Sequence, residues 1–137
     1  MTMREILFRG KEIGADRWVH GSLDIHKSGV VVIMSEEIVT SIYARVDPDT
    51  VGQFTGLTDK NGKKIFEGDI VRAVLPKSNA IPEFVWPDMV VGFSEGAFSA
   101  MRGRYCTPLY SFAPAVELEV IGNIHENPEL LEDEYHG

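Results

Sequence analysis

The apolar stretches of this chain are short, and Gly, Pro, Asn or Asp interrupts them at close intervals. No segment sustains the i, i+3, i+4, i+7 recurrence of an amphipathic helix. Several segments instead alternate apolar with polar residues or cluster β-branched ones between turn-forming residues, the mark of short strands. This constraint points to a mainly β fold.

The strands can be placed. "EILFRGKEI" and "RWVHGSLDI" read as two strands with Gly14–Asp16 turning between them. "VVVIM" (Val30–Met34) and "IVTSIYARV" (Ile38–Val46) are β-branched, with "SEE" as the loop between them. "DPDT" suits a turn, or a single helical turn with Asp47 as N-cap and Pro48 at the first helical position. In the second half, "KKIFEGDIVRAVL" is strand-like on either side of Gly68, and "SNAIPEFVWPD" is a loop with an embedded extended segment. "MVVGF" and "AFSAM" flank "SEG", a hairpin signal with Gly96 available for a positive φ. "GRYCTPLYSFAPA" reads as extended and irregular. "VELEVIGNI" sets Val116, Leu118 and Val120 on one face and Glu117 and Glu119 on the other. "NPELLEDEY" forms one or two helical turns, with Asn127 as N-cap before Pro128.

Size and charge bound the class. The 137 residues suit one compact domain or two small lobes. No apolar run approaches the roughly 20 residues that span a bilayer. The scattered charges of "MTMREILFRGKEIG" do not read as a signal peptide. The single cysteine, Cys106, permits no disulfide within the chain and reads as a buried or half-buried thiol. These features point to a cytoplasmic protein with no membrane partner. The net charge is -8, but residues 117–137 carry seven acids and no Lys or Arg. The preceding residues hold 13 basic and 14 acidic side chains, so the body is nearly neutral and the acidity belongs to a solvated tail.

The densest motif is "TGLTDKNGKKIFEGDIV", Thr55–Val71. A P-loop needs four residues between its glycines and a hydroxyl after the Lys; here five residues separate Gly56 from Gly62, and Lys64 stands where Ser or Thr belongs. An EF-hand alignment through Asp59, Asn61 and Gly62 puts Leu57 at the first ligand position and Gly68 at the bidentate Glu position. Neither ion can be held. The remaining reading is conformational: a type I′ hairpin turn at Asn61-Gly62 with Asp59 closing an Asx-turn.

Other candidate sites fare similarly. "GFSEG" matches G-x-S-x-G, with Ser94 ahead of Asp133 and His136 in triad order, but a strand-like segment follows where a nucleophile elbow needs a helix. A straight second strand would put His20, Asp24 and His26 on one face, a loose spacing better read as a solvated surface than as a metal site. Trp18, Trp86, Phe93, Phe98 and Phe112 read as core residues. Small β-barrels expose aromatics where they bind peptides or nucleic acid. The candidate binding surface is therefore Arg102, Arg104, Tyr105 and Tyr110, basic and aromatic residues close together in a Pro-bearing segment.

The ordered set "MREILFRGKEI", "RWVHGSL", "DPDTVGQFTGLTDKNGKKIFEGDIV", "VVGF…GAF" and "EVIGNIHENPELL" resembles the YopX family of phage and prophage proteins. The resemblance runs nearly the length of the chain; it is weakest in "IVTSIYAR" and in residues 75–90 and 100–115, which depart from the family pattern. It implies a Gram-positive phage or prophage source, a bacterial host cytoplasm and a β fold whose second half is an SH3-like barrel. It brings no catalytic residues. The expected architecture is an N-terminal β lobe (1–50), an SH3-like barrel (51–126) and an acidic C-terminal tail (127–137) that starts with a short helical turn. The expected function is a non-enzymatic, protein-binding or self-assembling accessory protein with an unknown protein partner. It needs no cofactor or metal. A nucleic-acid-binding barrel is the alternative, and an unrecognised enzyme the second alternative.

Overall fold

The computed structural model describes residues 3–36 and 41–132. Asp133 and His136 of the triad reading, and Ile38–Thr40 of the fourth strand segment, lie outside the described residues. The fold is mainly β: the described residues form twelve strands and three single turns of 3-10 helix. Among the described residues no helix is long and apolar enough to cross a membrane. The chain divides into two compact units, Met1–Gly56 and Leu57–Gly137.

The first unit is an antiparallel sheet of β1 (Phe8–Lys11), β2 (Trp18–Ile25), β3 (Val31–Glu36) and β4 (Ser41–Arg45), extended by the start of β5 (Gly52–Thr58). The order is β4-β3-β2-β1-β5. Gly14, at φ +81°, makes the turn expected between the first two strands. Ser35 and Glu36, expected in a loop, complete β3. Val19, Val31, Ile33, Ala44 and Val46 form the core, with Phe8, Leu23, Ile42 and Val51 packed on it. This is the inward half of an alternating pattern. The turn at Pro48–Thr50 forms as expected: the Asp47 carboxylate accepts from the Asp49 amide at 3.0 Å. The same turn docks on β1, because Thr50 Oγ1 accepts from the Lys11 amide and the Asp47 amide donates to the Lys11 carbonyl, both at 2.9 Å. Arg9 is buried, its guanidinium stacked 5.0 Å over the Trp18 ring.

The second unit contains β6 (Lys64–Phe66), β7 (Asp69–Leu75), β8 (Phe84–Val85), β9 (Met89–Ser94), β10 (Ala97–Arg102), β11 (Tyr105–Pro108) and β12 (Glu117–Asn123). The sheet order is β11-β10-β9-β7-β12, and the two-residue β8 pairs with the end of β7. Ile65, Val71, Ala73, Met89, Val91, Ala100 and Leu109 form its core, covered by Trp86, Phe98, Phe112, Val116, Leu118 and Val120. The expected inward face of the last strand, Val116, Leu118 and Val120, is thus where the core needs it. The strand is bulged between Val120 and Gly122. The closing helical turn is Pro128–Leu131. Asn127 precedes it but does not cap it with its side chain; its Oδ1 accepts instead from the Asn123 amide at 3.2 Å.

The β9–β10 hairpin shows its turn chemistry directly. Ser94 and Ala97 face each other across Glu95 and Gly96, whose φ values are +50° and +82°. Two positive φ values define the type I′ turn that matches strand twist. The would-be nucleophile elbow is therefore the end of a strand, and β10 follows it. Glu95 is the only non-Gly residue of the described chain at positive φ, a conformation that costs a side chain other than Asn or Asp. Glu95→Gly or Glu95→Asn is expected to stabilise the protein by about 0.5–1 kcal/mol, measured as an upward shift in the urea midpoint at unchanged slope.

Candidate functional site

The Thr55–Val71 motif is a structural device. Its turn is closed by Asp59 N–H to Lys63 C=O at 2.7 Å and Gly62 N–H to Asp59 C=O at 2.9 Å. Gly62 has φ +82° while Asn61 does not share a positive φ. This is a three-residue loop, a type I turn ending in a glycine bulge, and it corrects the expected type I′ turn. The reason lies in Asp59. Its Oδ1 accepts from the amides of Asn61 and Lys63, both at 2.9 Å, and the Asn61 contact is the expected Asx-turn. Those two bonds hold Lys60 and Asn61 in the αR-like arc of a type I turn. Its Oδ2 accepts from the Val120 amide on β12, also at 2.9 Å. Asp59 is 7 % exposed. Burial raises its carboxyl pKa, but the amides of Val120, Lys63 and Asn61 and the Lys63 charge outweigh that, so the net shift is downward from 3.8. Both of its oxygens accept from backbone amides, the arrangement of a structural clamp.

The second half of the motif works alike. Gly68, at φ +91°, turns the chain, and the buried Asp69 accepts from the Phe66 amide at 2.8 Å. Gly68 also donates to the Val91 carbonyl and accepts from the Ile124 amide, each at 2.8 Å. The closing "IGNIHENPELL" is tied down in turn. Asn123 Oδ1 accepts from the His125 and Glu126 amides at 3.0 Å, and a side chain at Gly122 would collide with Asn127.

The candidate surface residues divide. Gly103, at φ +57°, and Arg104 form a two-residue loop of type II′ pattern, with glycine at its first central position. That loop makes Arg102 and Tyr105 a facing cross-strand pair. Both line a groove of about 530 Å³, together with Phe84, Trp86, Pro87, Met89 and Gly103. Arg104 is exposed on the loop and Tyr110 is exposed on the 3-10 turn Leu109–Ser111; neither lines the groove.

The groove is where the hydrophobic core of this unit meets solvent. Met89, fully buried, belongs to both. Phe84 and Tyr105 stand 52% and 49% exposed beside it. Rings brace one another: Phe84 meets Trp86 edge to face at 4.7 Å, and Trp86 meets Phe112 at 5.5 Å. Such contacts add about 0.5–1.5 kcal/mol each beyond burial and hold the rings in place. Arg102 Nη1 donates to the Asp88 carbonyl at 2.9 Å, while the Asp88 carboxylate is drawn to Arg72, 3.3 Å from its Nε. The groove therefore offers stacked aromatic faces, a proline and one fixed guanidinium. It suits an apolar or aromatic side chain next to an anionic group.

Phe84, Trp86, Pro87 and Met89 were not anticipated as site residues. Their signal was "PEFVWP": aromatics at alternate positions between two prolines, which keeps the segment extended and sends Phe84 and Trp86 to one side.

The remaining candidates disperse. His26 Nε2 lies 3.4 Å from Asp24 Oδ2, both exposed, and His20 does not join them. Among the described residues no three His, Cys, Asp or Glu side chains gather as a metal would require. Cys106 is exposed on β11, not buried. It sits on β11, the outermost strand of the sheet order.

The sequence profile of the YopX protein family matches residues 7–132. Among solved structures, the crystal structure of protein EF1440 from Enterococcus faecalis is similar. It is 28% identical, covers 95% of this chain and 100% of that one, and superposes with a TM-score of 0.53. No curated protein matches the chain.

Proposed function

The chain belongs to the YopX family, and from that premise we propose that it is a phage- or prophage-encoded accessory protein of the bacterial cytoplasm that acts by binding protein, without catalysis. The observation that carries this reading is the groove of the second unit, with half-exposed Phe84 and Tyr105 beside a buried Met89 and a fixed Arg102. Aromatics spaced along an open groove are costly to leave in water. Interface centres are enriched in these residue types, aromatics and Arg above all.

A groove variant tests it. Phe84→Ser/Tyr105→Ser removes two half-exposed rings, so stability is expected to fall by about 2–3 kcal/mol, and circular dichroism checks that the variant stays folded. Tagged chains are recovered from cells undergoing prophage induction. The wild type is expected to bring down a stoichiometric protein that the groove variant loses; retention of the same protein by the variant would sink the reading.

A second reading, single-stranded nucleic acid, draws on the adjacency of Arg102, Arg104 and Tyr105. Phosphate contacts release counterions, so binding must weaken steeply with salt. Failure of single-stranded DNA and RNA to bind at ~50 mM salt would remove this alternative.

A further inference from the structure

We propose that the groove is one half of a strand-addition site: an extended segment of the protein partner pairs with the open edge of β8, with apolar side chains on one face and a Lys or Arg on the other. This rests on the groove being the binding surface and names the kind of segment that fills it.

The backbone supplies the first argument. β8 pairs with β7 and, among the described residues, with no other strand. Val85 stands opposite Val74, and Phe84 opposite Leu75. The Trp86 amide donates to the Ala73 carbonyl at 3.0 Å. Antiparallel strands alternate hydrogen-bonded with non-bonded pairs. Phe84 and Trp86 therefore turn their backbone groups to β7. Val85, between them, is exposed and turns its N–H and C=O to the open side. Such an edge is a template for another chain. Pro82 and Pro87 have no N–H to give, so they confine the pairing to a segment of about three to five residues.

Charge complementarity is the second argument. Side chains alternate along β8, so Phe84 and Trp86 serve the groove while Glu83 and Val85 line a second recess, of about 710 Å³. The two recesses adjoin at Trp86 and Pro87, which line both. The second recess carries three carboxylates and two cations. Lys60 lies 3.9 Å from Glu117, and Arg72 lies 3.3 Å from Asp88. Glu83 remains, exposed and with no ion pair among the described residues. The recess therefore favours an incoming cation. A segment laid along β8 sets the residue opposite Val85 on the Glu83 face and its two neighbours over the groove. From there a Lys or Arg reaches Glu83 on the diagonal. The fitting occupant is a basic residue between two apolar ones.

The test uses the full chain. Random heptapeptides are selected on it, and the enriched peptide is synthesised and titrated. Expected is enrichment of Lys or Arg between two apolar residues, with binding lost on the Phe84→Ser/Tyr105→Ser chain. Glu83→Lys is expected to weaken that peptide by about fivefold or more, because an attraction becomes a repulsion. A fresh selection on Glu83→Lys is expected to move the middle residue to Asp or Glu. N-methylation of the one peptide amide that meets the Val85 carbonyl is expected to weaken binding by about tenfold, and methylation of its neighbours, which face away, by less than about twofold. The Val85 amide is expected to exchange about tenfold more slowly in the complex. No enrichment, a motif without the alternation, equal affinity for Glu83→Lys, or indifference to N-methylation at every position would overturn the proposal. In the induced-cell capture, a protein lost by the groove variant but held equally by Glu83→Lys and the wild type overturns strand addition and leaves the groove reading standing. A protein kept by the groove variant removes the groove reading itself.

Discussion

Asp59→Ala is expected to lower the unfolding free energy by about 3–4 kcal/mol, a large share of what a small protein has in reserve. One carboxylate accepts three backbone amides, two within its own turn and one on β12. Hydrogen bonds to a charged group each contribute roughly 1.5–3 kcal/mol. The Asn61 and Lys63 amides regain water at the exposed turn, so the sum is not fully lost. The Val120 amide, further inside, does not recover as easily. Asp59→Asn keeps one acceptor oxygen and loses the charge, and about half that cost is expected. Urea unfolding measures both.

The same residue sets an acid dependence. Its folded pKa lies below the ordinary 3.8, so its stabilisation is fully present above the unfolded value, ~3.9, and is lost as pH falls through the lower folded value. The wild type is therefore expected to lose stability below about pH 4 more steeply than Asp59→Asn, which has no such carboxylate. Parallel acid limbs for the two proteins would contradict this role.

Gly21→Ala is expected to cost about 3 kcal/mol, or to prevent folding of the first unit, for a steric reason. A Cβ on Gly21 would lie 1.9 Å from the Met34 carbonyl oxygen and 3.1 Å from the Ser35 Cα. These are backbone atoms of the neighbouring strand and cannot swing aside. Relief requires β2 and β3 to part where Ser22 pairs with Met34. The change is readable as a fall in thermal midpoint and as faster amide exchange along β2 and β3. Gly14→Ala makes a useful contrast: no atom lies within 4 Å of its added Cβ, and only its φ of +81° is strained.

The strand pattern was legible because it is local. Val116, Leu118 and Val120 alternate with acids, and that alternation alone fixes which face meets the core. The capped turn at Asp47-Pro48 was legible for the same reason: a side-chain oxygen and a fixed φ act within three residues. Asn61-Gly62 was misread because the decisive contact is not local. Both residues tolerate a type I′ turn, but the Asp59 carboxylate, held by Val120 far along the chain, fixes the arc that Lys60 and Asn61 follow. Asn127 misled similarly, its side chain engaged by Asn123 and not by the turn that it precedes.

The candidate site was half legible. Arg102 and Tyr105 were found because a Gly-bearing two-residue loop pairs them across a hairpin. Tyr110, only a few residues on, sits exposed in the Leu109–Ser111 turn and does not line the groove. Phe84, Trp86 and Met89 were hidden because their role depends on β8 returning to β7, a pairing of two residues that carries no periodicity to detect. Phe93 shows the converse: it was read as core yet stands 57% exposed, packed edge to face against Phe98 at 5.2 Å.

The central claim is that the signature motif is architecture and that the groove is where this protein meets protein. Site-specific photocrosslinking tests it most directly. A benzophenone amino acid is placed at Tyr105 in the groove or at Tyr43, a 70% exposed residue of the first unit, and the chain is irradiated in cells undergoing prophage induction. The account predicts a discrete adduct from position 105 and none from position 43. Equal labelling at both positions, or an adduct from position 43 alone, would contradict it.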